Sequence, residues 1–213
     1  MKSQKDIFLE YEGDKWLERN SIDKSEYVDP LSKILDSIPL KESSNVNVLE
    51  IGCGNGFRLS NLNLLKKWNV HGIDPSSNSI SNSRKLKINA FKATADEIPF
   101  DDNFFDLVIF GFCLYLCDRK DLFKISSEVN RVLKIQSWLL IHDFWSPSYK
   151  KVKYVHNHEI FSHKDDLGKM FTWHPFYTLF SHRIENHTSH SHSDDMNEWV
   201  GISLLRRNDK SIQ

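Results

Sequence analysis

The chain has 213 residues, with 28 lysines and arginines against 29 aspartates and glutamates, a formal net charge of −1. That length suits one substantial hydrophobic core rather than two full domains, and the balanced charge gives no sign of a nucleic-acid or anionic-membrane surface. No apolar run is long enough to cross a bilayer, and the N-terminus is charged and polar, so a soluble cytoplasmic protein without nucleic-acid or membrane partners is expected.

Residues 1–45 read as a helical appendage ahead of the main domain at 46–213. The segment from Glu12 to Asn20 mixes a glycine with large side chains and is not a disordered leader. A helix is predicted from about Asp29 to Ile38, with Pro30 in its first turn and Leu31, Ile34, Leu35 and Ile38 on one face. Pro39 and the polar residues 41–45 break it.

Val46 to Ile51 is a short apolar run that reads as a buried strand, and Gly52, Gly54 and Gly56 follow at single-residue spacing. Leu59, Leu62 and Leu65 then recur at helical intervals. Strand, glycine turn and helix together let the backbone approach a ligand closely, because glycine has no Cβ to block it. The spacing is neither the G-x-G-x-x-G of dinucleotide folds nor a phosphate loop, which disfavours a nicotinamide-dependent oxidoreductase. Glu50, beside the turn, suits a cationic ligand better than a phosphate.

Asn69 to Ser76 predicts a second strand ending in Asp74, about twenty residues past the turn, where an acid can accept hydrogen bonds from ribose hydroxyls. Ser76 or Ser77 caps a helix reaching roughly Lys87. Residues 88–93 predict a third strand, and Phe104 to Phe110, continuously apolar apart from Asp106, a fourth, buried on both faces. Gly111 and Phe112 then stand at a strand's carboxyl end, where open α/β sheets bind ligands. Asp118 is expected to cap a helix that buries Leu122, Ile125, Val129, Val132 and Leu133. Trp138 to Phe144 predicts a fifth strand, and 177–184 and 198–205 a closing hairpin across a polar loop at 185–197. Arg206, Arg207 and Lys210 read as a solvated tail.

Glu50-Ile51-Gly52-Cys53-Gly54-Asn55-Gly56 resembles motif I of the Rossmann-like, class I S-adenosylmethionine-dependent methyltransferases. Thr94 to Phe100 resembles the family's "DAxxLPF" adenine turn, with Thr94 standing where the acid usually does and Asp96 or Glu97 nearby. Phe105 to Asp118 is similar to "FDLVxxxxxLxxxxD", with three residues instead of four between Leu114 and Asp118, and Glu128 to Lys134 to "ExxRVLK"; Gln136 and Ser137 replace the two glycines that usually follow. Glu12 to Asn20 resembles the "EGDxWxxRN" element of small-molecule and carbohydrate-associated members, where it folds over the cofactor as a lid.

The resemblance implies an α/β fold: a seven-stranded, mostly parallel sheet with helices on both faces and a C-terminal antiparallel hairpin. It implies S-adenosyl-L-methionine as cofactor, held by Trp16, Arg19, Glu50, Gly52, Cys53, Gly54, Gly56, Asp74, Pro75, Thr94, Ala95, Asp96, Gly111 and Phe112. Trp16 is expected to cover the pocket or to anchor the core, and Arg19 to pair with the cofactor carboxylate or to lie on the surface. The acceptor it implies is a small molecule or glycan, with O-methylation of a sugar, nucleotide-sugar or polysaccharide as the reaction; a catalytically inactive cofactor-binding partner is the alternative.

A hydroxyl acceptor needs a general base, and His142, His156 and His158 are the candidates, with Asp143 beside the first and Tyr115 and Tyr154 as acceptor-site residues. No metal is expected. Cys53, Cys113 and Cys117 form no C-x-x-C pair, the latter two lie in an apolar stretch, and the late histidines lack carboxylate partners at ligand spacing.

Overall fold

The structure, a computed structural model, describes residues 2–43 and 45–208. It opens with a helical rod in three stretches: α1 (Gln4–Ile7), a π-helical turn (Phe8–Glu12) and α2 (Gly13–Asn20). A capping box between Ser3 and Asp6 starts the rod, and Ser21, in extended conformation, ends it. A π-helical insertion inside a helix commonly marks a functional site. α3 (Ser32–Ser37) is shorter than predicted. Its Leu35, with flanking Leu31 and Ile38, packs in the main core.

Five strands follow in parallel: β1 (Asn47–Ile51), β2 (Asn69–Asp74), β3 (Asn89–Lys92), β4 (Phe105–Gly111) and β5 (Leu133–Phe144). They alternate with α4 (Phe57–Lys66), α5 (Ser77–Lys85) and α6 (Leu122–Val132). β6 (Lys150–Lys153), β7 (Phe161–Lys164) and α7 (Lys169–Thr172) come next, and β8 (Tyr177–Asn186) and β9 (Trp199–Arg207) close the chain as an antiparallel pair. The main sheet has seven strands in the order β3-β2-β1-β4-β5-β9-β8. This is the Rossmann-like α/β architecture the sequence implied, with the hairpin at the predicted place.

Two-residue periodicity builds both cores. Val48, Leu107 and Ile109 turn to one face, against Leu35 of α3 and Leu59 and Leu62 of α4. Leu49, Ile51, Val108 and Phe110 turn to the other, against Ile125, Val129 and Val132 of α6. A parallel sheet covered on both faces requires apolar residues in both phases, as these strands have. The chain lays β2 and β3 to one side of β1 and then returns to place β4 on the other. That reversal opens a crevice at the carboxyl ends of β1 and β4.

Three local expectations change. Asp118 does not cap α6: a 3₁₀ turn (Arg119–Asp121) intervenes, and the Asp118 carboxylate accepts the backbone N–H of Lys5 instead. The missing pair of glycines before β5 is replaced by Gln136 at φ +58°, with the Ser137 hydroxyl donating to the Lys134 carbonyl. Arg206 and Arg207 are not a tail. They end β9, Arg206 lies over the Trp138 ring, and Arg207 donates to the carbonyls of Asn130 and Leu133. Lys210 lies outside the described residues. The β6–β7 hairpin was not predicted; its strands are four residues long and lysine-rich, without an apolar alternation.

Candidate active site

A cleft whose open volume, mouth included, is about 850 Å³ lies at the carboxyl ends of β1, β2 and β4. Gly52 and Gly111 bring backbone to its wall. Gly52 has φ +77°, and a Cβ there would sit 2.8 Å from Cβ of Cys113, so the turn tolerates only glycine. Phe112, also on the wall, is held at φ +53°, an uncommon conformation for a bulky residue and one that tends to be retained at functional sites.

Asp74 stands at the end of β2 on the cleft wall. One of its carboxylate oxygens accepts the Gly54 N–H at 3.0 Å and the other the Ser76 N–H at 2.8 Å. The Ser79 side chain also favours the ion, and a carboxylate with about four lone-pair sites still has room to receive a diol. Burial pushes its pKa up to about 6, against the two backbone N–H groups that favour the ion. Pro75, Thr94, Ala95 and Asp96 continue the wall beyond it.

The rod of residues 4–20 roofs the cleft through Lys5, Phe8, Gly13 and Trp16. The conformation explains the letters of its motif. Gly13 allows the rod to touch the β2–α5 turn: a Cβ there would meet the Phe8 carbonyl at 2.9 Å and the Ser76 N at 3.1 Å. Asp14 accepts the Ser76 hydroxyl at 2.5 Å and the Asn78 N–H at 3.0 Å, and so reinforces the N-terminus of α5. Glu12, buried, is held by Arg19 at 2.5 Å and by the Asn157 side chain at 3.1 Å. Asn20 returns its amide to the Trp16 carbonyl.

Of the residues singled out from sequence, Trp16, Gly52, Asp74, Pro75, Thr94, Ala95, Asp96, Gly111 and Phe112 therefore share one cleft. Five others are off its wall. Arg19 is committed to Glu12 and the Tyr154 hydroxyl, which leaves it no free fork for a ligand carboxylate. Glu50 is buried and bonded to Arg58, which also holds Asp29 at 3.0 Å. Burial pushes Glu50 up while Arg58 opposes the shift, and its second oxygen has no partner. Cys53 is packed in the core, Gly54 spends its N–H on Asp74, and Gly56 sits at φ +73° as the residue before α4. Their part is to shape the turn.

His142 is fully buried against Phe112, with neither ring nitrogen hydrogen-bonded; burial, the largest cause, and nearby cations push its pKa well below the ordinary value. His156 and His158 are exposed on the loop between β6 and β7. None lines the cleft. Asp143 also turns away, accepting the backbone N–H groups of Cys113, Leu114 and Tyr115 and so fixing the segment after β4. Cys113, directly after Gly111 and Phe112 at the end of β4 and expected with them at the ligand, lines the cleft too, as do Lys5, Cys117, Asp118 and Asp121, which were not singled out as ligand contacts.

Residues 49–141 match the family described as "Methyltransferase domain". An uncharacterized protein of Methanocaldococcus jannaschii is 29% identical over 194 residues, covering 86% of this chain and 79% of that protein. A ubiquinone/menaquinone biosynthesis C-methyltransferase of Psychromonas ingrahamii is 35% identical over 79 residues, 37% of this chain and 31% of the relative. Among solved structures, a 1,6-didemethyltoxoflavin-N1-methyltransferase of Burkholderia thailandensis, with 1,6-didemethyltoxoflavin and S-adenosylhomocysteine bound, superposes with TM-score 0.70 at 14% identity, covering 97% of this chain and 87% of that one. Sheet order, cleft and matched domain define the class: the fold is that of the class I methyltransferases. Residues 49–141 thus carry a methyltransferase domain, and S-adenosylmethionine is the cofactor to set against the residues present.

The residues present fit that cofactor. A carboxylate for a ribose, a glycine whose Cβ would fill the turn, and aromatic side chains on one wall form a mixed polar and apolar cradle.

Proposed function

We propose that the chain methylates a small molecule, with the cofactor held by Trp16, Gly52, Asp74, Pro75, Thr94, Ala95, Asp96, Gly111 and Phe112. The observation that carries this reading is the convergence of these nine residues, from five separate stretches of sequence, on one lid-covered cleft. When bound, the cofactor supplies an electrophilic methyl on a positively charged leaving group. The chain's share is to orient the acceptor and keep water out. Trp16 and Phe8 exclude solvent from above, while Gly52 and Gly111 admit a ligand against bare backbone.

For the acceptor, a hydroxyl of a sugar, nucleotide-sugar or polysaccharide is the first reading. It is supported by the likeness of residues 12–20 to carbohydrate-associated members and by an aromatic cluster beside the cleft: Trp16, Phe112, Tyr115, Phe144 and Tyr154. Such rings offer flat apolar faces to the C–H side of a sugar. A second reading is favoured by the histidines' positions. With none on the wall, the site suits an acceptor that needs no general base, such as an electron-rich ring carbon. A cytoplasmic location accompanies either reading; among the described residues no helix is long and apolar enough to cross a membrane.

The test is incubation with methyl-labelled S-adenosylmethionine and two extracts, one of glycans and nucleotide-sugars, one of small aromatic metabolites. Label in an acid-stable O-methyl sugar supports the first reading and a C-methyl product the second. Binding of S-adenosylhomocysteine without transfer to any acceptor would leave the inactive partner as the function.

A further inference from the structure

The sheet order sets the direction in which a nucleoside must lie. Across the strand ends, the glycine turn follows β1, Asp74 ends β2, and residues 93–96 follow β3, the edge strand beyond it. The backbone N–H of Ala93 donates to the Asp74 carbonyl at 3.2 Å, which fixes residues 93–96 directly beside the ribose acceptor. A base attached to a ribose at Asp74, with its other substituent toward Gly52, therefore reaches Thr94, Ala95 and Asp96.

There the side chains form a chain of contacts. The Lys5 ammonium, from the first turn of the lid, lies 2.8 Å from Oδ2 of Asp96, and Lys124 lies 3.5 Å from the same oxygen. Oδ1 of Asp96 accepts the Thr94 hydroxyl at 2.7 Å. Asp96 is buried, and Lys5, Thr94 and Asp96 all line the cleft. A threonine hydroxyl normally rotates and can donate or accept. Here an ionised carboxylate, which only accepts, takes its proton and leaves the oxygen lone pairs free. Desolvation alone would raise the Asp96 pKa, but Lys5 and Thr94 outweigh it and hold the group below its ordinary range.

We propose that Lys5, Asp96 and Thr94 act as a relay that fixes the Thr94 hydroxyl as a hydrogen-bond acceptor for the exocyclic amine of the cofactor's purine. Thr94 is the contact; Asp96 and Lys5 are positioning residues. Because Lys5 comes from the lid, docking of the lid and recognition of the base are one event. The relay accounts for a hydroxyl at a position where the resemblance leads one to expect an acid. It rests on the reading that the cleft takes S-adenosylmethionine.

Calorimetry with two ligands tests it: S-adenosylhomocysteine, which carries the amine, and S-inosylhomocysteine, which carries a carbonyl oxygen in its place. The native protein should prefer the adenosyl ligand by about tenfold or more, the scale of one hydrogen bond exchanged for a repulsive pair of acceptors. Thr94→Val should erase the preference and Thr94→Ser retain it. Asp96→Asn should also erase it, since an amide N–H facing Thr94 would turn the hydroxyl proton back toward the ligand. Lys5→Met should lower the preference several-fold, whereas Lys5→Arg should keep it. A loosened lid without the relay would weaken both ligands alike and leave their ratio unchanged. If Thr94→Val and Asp96→Asn both keep the native ratio, the relay is wrong while the cofactor reading stands. If the native protein binds neither ligand, the cofactor reading fails and the relay with it.

Discussion

At the scale of single residues, the site is governed by where carboxylates are buried and what they face. Asp74 is the clearest case, because its proton competes with the ligand. Its pKa is raised to about 6 by desolvation, and only the ionised group can accept hydrogen bonds through both oxygens. A diol bound there stabilises the ion, so binding expels a proton wherever the free protein still holds one. The sign follows: S-adenosylhomocysteine should bind more tightly as pH rises through about 6 and level off above about 7. Between the ordinary aspartate value and about 6 the folded chain holds a proton at Asp74 that the unfolded chain has lost. This group's contribution to stability without ligand therefore falls as pH rises through that window, opposite to the affinity. Titration calorimetry at several pH values, with buffers of different ionisation enthalpy, reads both affinity and proton release. A flat profile for the native protein, or one no different in Asp74→Asn, would remove Asp74 from the ribose contact.

At the scale of elements, the lid rod is attached along its length, at Gln4, Lys5, Leu9, Glu12, Asp14 and Arg19, and the Asp14 anchor is the one least confounded with the cleft chemistry. Asp14 donates nothing to the cleft wall but bonds Ser76 and Asn78 at the start of α5. Removing a cap of this kind typically costs about 0.5–2 kcal/mol. Asp14→Ala should accordingly lower stability by about 1 kcal/mol and speed hydrogen exchange over residues 8–20, while exchange in β1 and β4 stays unchanged. Uniform acceleration in lid and sheet alike would mean that the rod is not a separately opening unit.

Legibility in the sequence follows the same division. Strands buried on both faces declared themselves by composition, as at Val48 to Ile51 and Leu107 to Phe110, and their glycine-bounded ends located the cleft. What the letters could not show was partnership. Glu50 looks available for a cation until Arg58, one residue into α4, is seen to fill that role. Arg19 looks like a clamp until Glu12, on the same helical rod, claims it. His142 alternates with Asp143 along β5, yet both are withdrawn from the cleft, one into an aromatic cluster and the other onto three backbone N–H groups. Lys5 reaches Asp96 across 91 residues of sequence, a pairing that no local pattern encodes.

At the scale of the molecule, two layers of core are independent of the lid and a third is not. The clusters on the two faces of the main sheet draw nothing from residues 4–20, whereas the cluster beside the cleft joins Ile7, Phe8, Tyr11 and Trp16 to Tyr115, Leu116, Tyr154 and Ile160. The apolar side chains that the rod contributes to that cluster are too few to decide whether the sheet folds, but they form the roof over a ligand. A chain lacking residues 1–20 should therefore keep its far-ultraviolet circular dichroism apart from the lost helix, and should unfold in a single transition at a lower temperature. The ligand response separates roof from core. A ligand at a hundred times its dissociation constant stabilises the folded state by about 2.7 kcal/mol, so S-adenosylhomocysteine should raise the melting temperature of the full chain by several degrees. The shortened chain, with Lys5, Phe8, Gly13 and Trp16 gone from the wall, should show little or no shift at the same concentration. An equal shift in both would place the cofactor's binding energy entirely in the sheet and leave the rod without a part in holding it.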